Sequence, residues 1–202
     1  PNKIRNESFY TNLALVLNSG KVSYFQLRLK KETNSNKLII GKKIKKICKK
    51  YKVKFLINDD PLLAKKLNAD GCHLGQKDMD LIKARKILKD KIIGVTCHNS
   101  IGLAKSAIES SADYLAFGAF YASKTKIVKY RASLKILKSV NKITSLPIVA
   151  IGGIKLNNYK KLLLNKANFL AISGYIWSNK KYKPLEAIKK LKWKYTQVKS
   201  EL

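Results

Sequence analysis

The sequence predicts an α/β protein of the TIM-type (β/α)8 barrel class, and three observations predict it. Short β-branched runs alternate with longer amphipathic runs from one end of the chain to the other, the pattern of a parallel sheet joined by crossover helices. The units recur at spacings of about 20 to 35 residues with no linker or low-complexity tract between them. A length of 202 residues with 46% hydrophobic and 27% charged side chains suits one domain with one core, residues 1–202, rather than disorder. A doubly wound open sheet would share these features, and the elements in order decide between the two.

Residues 8–18 read as a helix with Phe9, Leu13 and Leu17 on one face, and no strand stands before it. Seven strands follow, at 22–27, 53–57, 71–74, 92–95, 114–117, 148–151 and 169–172. Apolar residues at helical spacing, such as Leu38, Ile44, Ile47 and Cys48, fill the intervals, with lysines on the other face. Seven is one short of a barrel, and the unattached first helix says which strand is lacking. The expectation is therefore a barrel whose first strand lies ahead of Pro1, with a seven-stranded open sheet as the alternative.

The formal charge is +31, from 43 Lys+Arg against 12 Asp+Glu. Such a balance ordinarily points to nucleic acid or an anionic surface. Only Arg5, Arg28, Arg85 and Arg131 are arginines, in a chain also rich in Ile and Asn, so a bias toward A/T-rich codons accounts for most of the charge and no nucleic-acid partner is expected. Base readers lean on Arg as well as Lys. Three cysteines without CxxC spacing argue against a disulfide framework and a zinc site, and fit a reducing cytoplasm. No run approaches the 18 or so apolar residues of a membrane span.

In such barrels chemistry gathers at the carboxyl ends of the strands. After the first visible strand, Gln26, Arg28 and Lys30 alternate with Leu27 and Leu29, so period two puts three polar side chains on one side. A guanidinium fork beside an ammonium suits a diphosphate. The next strand ends Ile57-Asn58-Asp59-Asp60, and the third opens onto Gly75-Gln76-Lys77-Asp78. Asp59, Asp60, Asp70, Asp78 and Asp80 fall within 22 positions of a chain otherwise poor in acid. Hard oxygen ligands facing Arg and Lys are what hold Mg²⁺ together with substrate phosphates. Asp60 also suits the cap of a helix starting at Pro61, which leaves Asp78 unexplained.

His73, inside a strand, reads as a satisfied core residue, and His98 has no Ser or Cys nucleophile in a recognisable relation to it. Hydroxyls and ammonium groups crowd the loop after the fifth strand, where Ser123, Thr125 and Lys126 can bind phosphate oxygens. The last two strands end in Gly152-Gly153 and Ser173-Gly174, at the loops where these barrels commonly bind phosphate. Two anion sites, one with metal, outline an enzyme joining a diphosphate ester to a second phosphorylated molecule.

These motifs, in this order, resemble the thiamine phosphate synthase family from about residue 1 to residue 176: Gln26-Leu27-Arg28-Leu29-Lys30, Ile57-Asn58-Asp59, His73-Leu74-Gly75-Gln76 with Asp78, Gly94-Val95-Thr96-Cys97-His98, the loop 118–126, and Ala150-Ile151-Gly152-Gly153-Ile154. The resemblance implies coupling of 4-amino-2-methyl-5-hydroxymethylpyrimidine diphosphate to a methylthiazole phosphate, with pyrophosphate released. It implies that Gln26, Arg28, Lys30 and Asn58 hold the pyrimidine diphosphate, that Thr96 and Lys126 touch it, and that Asp59 and Asp78 bind Mg²⁺. Arg28, Lys30 and Lys126 would then be the catalytic cations. Ser123, Thr125, Gly153, Ile172 and Ser173 would hold the thiazole phosphate. The implied reaction is dissociative and needs no side-chain nucleophile.

Thr96 stands where the family usually has Ser, Ala119 where it has Pro, and Ser123-Lys124 where it has Thr-Pro. The hydroxyls survive, while Lys124 adds a charge. The related thiazole tautomerase is a rival that would not need Arg28, Lys30, Asp59 and Asp78. A non-enzymatic basic barrel binding RNA is a rival of another class, whose affinity would fall steeply with salt. Small phosphorylated substrates and no membrane are expected, and a homo-oligomer is left open.

Overall fold

A computed structural model describes Ile4, residues 7–122 and residues 130–192. Seven strands form one parallel sheet in sequence order: β1 Tyr24–Leu27, β2 Lys54–Asn58, β3 Gly71–Leu74, β4 Ile92–His98, β5 Tyr114–Phe117, β6 Ile148–Ile151 and β7 Phe169–Ala171. Helices α1 Glu7–Asn18, α2 Asn34–Lys50, α3 Pro61–Lys66, α4 Leu81–Leu88, α5 Ile101–Glu109, α6 Leu134–Val140, α7 Tyr159–Leu164, α8 Gly174–Trp177 and α9 Pro184–Lys190 connect and flank the strands. The architecture is a seven-stranded parallel half-barrel. An eighth strand is not among the described residues, so the closed barrel expected from the sequence is not seen. Among the same residues no helix is long and apolar enough to cross a membrane.

Strand alternation separates two faces. Phe25, Leu27, Phe55, Ile57, Cys72, Leu74, Ile93, Val95, Leu115 and Phe117 are buried against the helices. The opposite residues point into the concave interior, and the register aligns them in rows. One such row runs Asn58, His73, Gly94, Tyr114. Three strands match the sequence reading at both ends, and the other four differ from it by one to three residues at an end. Residues 22 and 23 precede β1, Ile172 lies past β7, and β4 runs on to His98 through a register shift between Thr96 and His98.

The turns that feed the strands repeat one device. Lys52, Asn68, Ser111 and Lys166 take positive φ of 55°, 45°, 64° and 69°. In each case the next residue's N–H bonds back to the preceding helix: Val53 to Cys48 O, Ala69 to Ala64 O, Ala112 to Ala107 O and Ala167 to Leu162 O. This is the Schellman termination, which satisfies the orphan carbonyls at a helix end. The following acid or amide then clamps the neighbouring strand. Asp70 accepts from Phe55 N at 2.8 Å, Asp113 from Ile93 N at 2.6 Å and Asn168 from Ile148 N at 2.8 Å.

Candidate active site

Five aspartates cluster in sequence, of which Asp59 and Asp78 are the expected metal ligands and Asp60 an expected cap, and the structure sorts them. Asp60 caps α3 by accepting from Leu63 N at 2.9 Å, and Asp80 caps α4 through Ile82 N and Lys83 N. Asp70 sits at the amino end of β3, the end of the sheet away from the strand mouths, and is bound to Phe55 N and Lys54. Asp60 thus caps as expected, and Asp70 and Asp80 each have a structural partner that explains them. Asp59 and Asp78 remain, and they meet: their carboxyl groups hydrogen-bond each other.

Local backbone conformation produces that meeting. Asp59 takes φ +69°, turning the chain sharply between β2 and the cap residue of α3. Asp78 is held by Gly75 N–H, which donates to its Oδ2 at 2.6 Å. Lys30 Nζ lies 2.8 Å from Asp59 Oδ2, and Arg28 acts on the same carboxylate. Burial opposes ionisation of Asp59, yet the bonds from Lys30 and Asp78 and the charges of Lys30 and Arg28 outweigh it and hold its carboxyl below the ordinary value. Burial and the neighbouring Asp59 raise Asp78, against the Gly75 N–H and Lys30. The pair is thus biased in opposite directions, Asp59 toward its ionised form and Asp78 away from it, beside two cations.

Gln26 projects from β1 into the interior, and Asn58 ends β2 in the row above it. Thr96 is buried on β4, its hydroxyl 2.7 Å from His73 Nε2, while its carbonyl accepts from Gln76 Nε2 at 2.7 Å. Gly153 follows β6 at φ +65°, where a Cβ would run into the carbonyls of Tyr121 and Ala122, so only glycine fits. Ile172 and Ser173 lie between β7 and α8. These three share the carboxyl end of the sheet with the carboxylate pair, but no described contact joins them to it. Ser123, Thr125 and Lys126 lie outside the described residues.

His73 is a buried, bonded residue, as the sequence reading had it. Tyr114 was read only as the start of a strand, although it bonds His73 Nδ1 at 2.8 Å. An aromatic residue one strand away from a glycine in the same row is the signal that could have singled it out. His98 takes φ +53° and its ring packs 4.3 Å from that of Tyr130. The three cysteines are free, buried and pushed up to about 12 by burial above all, which suits neither nucleophile nor disulfide.

Among the described residues no three of His, Cys, Asp and Glu gather into a metal cluster. A metal at Asp59 and Asp78 would rest on two hard carboxylates and complete its shell with water and phosphate oxygens, the usual habit of Mg²⁺. Two carboxyl groups close enough to repel each other are relieved by a cation between them, so the donor set fits.

Residues 1–176 match the family model described as thiamine monophosphate synthase. A thiamine-phosphate synthase of Pelagibacter ubique is 85% identical over 192 residues, covering 95% of this chain and 93% of the relative. Another, of Marinobacter nauticus, is 43% identical over 157 residues, covering 77% and 70%. Among solved structures, a thiamine phosphate pyrophosphorylase from Pyrococcus furiosus is similar in fold, with TM-score 0.80 at 24% identity over 93% of this chain and 88% of that one. A 3-hexulose-6-phosphate synthase shares the fold more distantly, with TM-score 0.61 at 18% identity over 90% and 92%.

Proposed function

The chain belongs to the thiamine monophosphate synthase family, and from that premise we infer how its residues carry out the reaction. It is a transferase of thiamine biosynthesis, joining a pyrimidine diphosphate to a methylthiazole phosphate with release of pyrophosphate. Enzymes of the family use a metal cofactor, and we assign Mg²⁺ to Asp59 and Asp78. When bound, the cation neutralises charge on the departing diphosphate and orients it.

Everything else falls to this chain's side chains. The C–O bond between the pyrimidine methylene and the diphosphate breaks with its electron pair on oxygen. The thiazole nitrogen then supplies the pair for the new C–N bond, and no proton has to move. Catalysis is therefore stabilisation of the leaving charge, for which Arg28, Lys30, Lys126 and the Thr96 hydroxyl are the donors. Gln26 and Asn58 hold the pyrimidine diphosphate, while Ser123, Thr125, Gly153, Ile172 and Ser173 hold the thiazole phosphate. The closeness of Asp59 and Asp78 beside Lys30 and Arg28 supports this reading, because hard oxygen ligands next to cations are what a metal-bound diphosphate needs.

The test is pyrophosphate release from the two substrates, with and without Mg²⁺. Release that needs both substrates and stops on chelation is expected. Release at the same rate without the thiazole phosphate, or undiminished by chelation, overturns the reading. The finer architecture we propose is a closed (β/α)8 barrel over one domain, 1–202, with an eighth strand between β7 and β1. Cytoplasmic work fits small phosphorylated substrates, whose charge keeps them from crossing a bilayer.

A further inference from the structure

His73 and Thr96 are the buried polar side chains among the described residues, 7% and 8% exposed, and they are bonded to each other. Buried polar groups are costly unless satisfied, so a linked pair inside the half-barrel calls for a reason. The chain extends further. His73 Nδ1 meets the Tyr114 hydroxyl at 2.8 Å, and the Gln26 side chain approaches that hydroxyl from the far wall closely enough to act on it.

The register explains how a phenol on β5 reaches β3. His73, Gly94 and Tyr114 stand in one row, and Gly94 is the residue between. A methyl group at Gly94 would overlap the Tyr114 ring. With glycine there, the ring lies across β4, stacked on His73 at 5.6 Å between centroids and 21° between planes. Gly94 is thus the opening through which the two rings meet.

Proton bookkeeping gives the chain a direction. Burial above all lifts the Tyr114 phenol, so it keeps its proton, and the nearby Gln26 side chain opposes that rise, as an amide N–H turned toward the phenol oxygen does. With its oxygen turned to that amide and its proton kept, Tyr114 is placed to donate to His73 Nδ1. A neutral imidazole has one donor and one acceptor nitrogen, so Nε2–H then donates to Thr96 Oγ1. The Thr96 hydroxyl proton is left over, free to point at an anion. The opposite polarity would spend that proton on Nε2.

We infer that His73 and Tyr114 are positioning residues that keep the Thr96 hydroxyl a hydrogen-bond donor toward the departing diphosphate, with Gln26 setting the direction of the chain. This rests on the reading above that Thr96 faces the diphosphate. Tyr114→Phe removes the phenol and keeps the ring, and Thr96→Val removes the hydroxyl and keeps the shape. We expect Tyr114→Phe to lower kcat about tenfold with the KM for the thiazole phosphate unchanged, and Thr96→Val to lower kcat at least as far. The double variant should be no slower than Thr96→Val, because Tyr114 acts only through that hydroxyl. Losses that multiply in the double variant, or full kcat in Tyr114→Phe alone, overturn the inference. Full kcat in Thr96→Val would instead remove Thr96 from the diphosphate, and the inference with it. The wild-type protein offers a test without any variant: ¹⁵N shifts of His73 should show the Nε2–H tautomer, and the Nδ1–H tautomer would reverse the chain.

Discussion

Asp78 is the residue at which stability and chemistry pull apart. Its folded carboxyl is raised above the ordinary value by burial and by Asp59, so the folded state binds a proton the unfolded state has already lost. Stability therefore falls as pH rises through the folded value, and the penalty is present at neutral pH. Asp78→Asn removes the like charge while its side-chain oxygen can still accept from Gly75 N–H. The metal-free variant should melt higher than the parent at neutral pH, with the advantage shrinking as pH falls through the range where Asp78 protonates, and its Mg²⁺-dependent turnover should collapse. Thermal melts across pH without metal, beside the pyrophosphate assay, check both halves. Arg28→Lys keeps charge and loses the fork that binds two oxygens at once. Loss of one charge-assisted bond of about 1.5 to 3 kcal/mol in the transition state slows turnover roughly tenfold to a hundredfold, which steady-state kinetics would read. These residues were legible because an acid or arginine is rare in this chain. Asp60 was legible as a cap from the Pro61 that follows it, but Asp70 and Asp80 were not separable from Asp59 and Asp78 on side-chain chemistry, since caps, strand clamps and ligands use the same side chain and only the backbone path assigns them.

At the scale of elements, the strand centres were legible and their ends were not. Gly71–Leu74, Tyr114–Phe117 and Ile148–Ile151 came out as read, being apolar runs bounded by turn residues. At 22–23 and at Ile172 β-prone side chains continue past the ladder, because hydrogen bonding to a neighbour, not propensity, ends a strand. The helix-to-strand turns were missed altogether, although three of the four, at 68–70, 111–113 and 166–168, share the order left-handed residue, Ala, then Asp or Asn. Their weight can be measured at Asp113. It accepts from Ile93 N and from Arg85 Nη2, both at 2.6 Å, and Arg85 also ties the carbonyls of Lys89, Lys91 and Ser111. Asp113→Ala leaves the Ile93 N–H, on a buried residue, without its acceptor, a loss of about 1 to 3 kcal/mol. At about 2 to 4 °C per kcal/mol for a chain of this size, Tm should drop by several degrees while kcat at 25 °C stays unchanged. Lys43→Ala, which breaks an exposed pair with Glu7 and an exposed contact with the Tyr10 ring, should shift Tm far less than Asp113→Ala.

The whole molecule is organised around a seam. β1 and β7 end the sheet, and the interior is wettest beside them: Tyr24, Gln26 and Ala171 are exposed, while His73, Thr96 and Ala116 across from them are buried. Yet the two edges face each other. Tyr24 and Phe169 meet edge-on with ring centroids 5.5 Å apart. One strand between β7 and β1 would set them about 9.6 Å apart, twice the usual spacing of about 4.8 Å, a distance two inward aromatic side chains can span. Helix α1 is already in place for such a strand. It packs against both α2 and α9, and Phe9 touches Trp177, which also packs on Phe25 of β1. A segment at the seam would pair the two edges left unpaired among the described residues, edges of a kind that invite association with other chains. Joining an apolar, β-prone segment of about six to eight residues ahead of α1 should therefore raise Tm, reduce aggregation and raise turnover together, since Gln26 and the Arg28 and Lys30 that follow β1 stand beside that edge. Melting curves, light scattering and the pyrophosphate assay on the two lengths of chain would test it. A longer chain that gains in none of the three would mean that the half-barrel is the working form, held at its seam by Tyr24, Phe169 and α1.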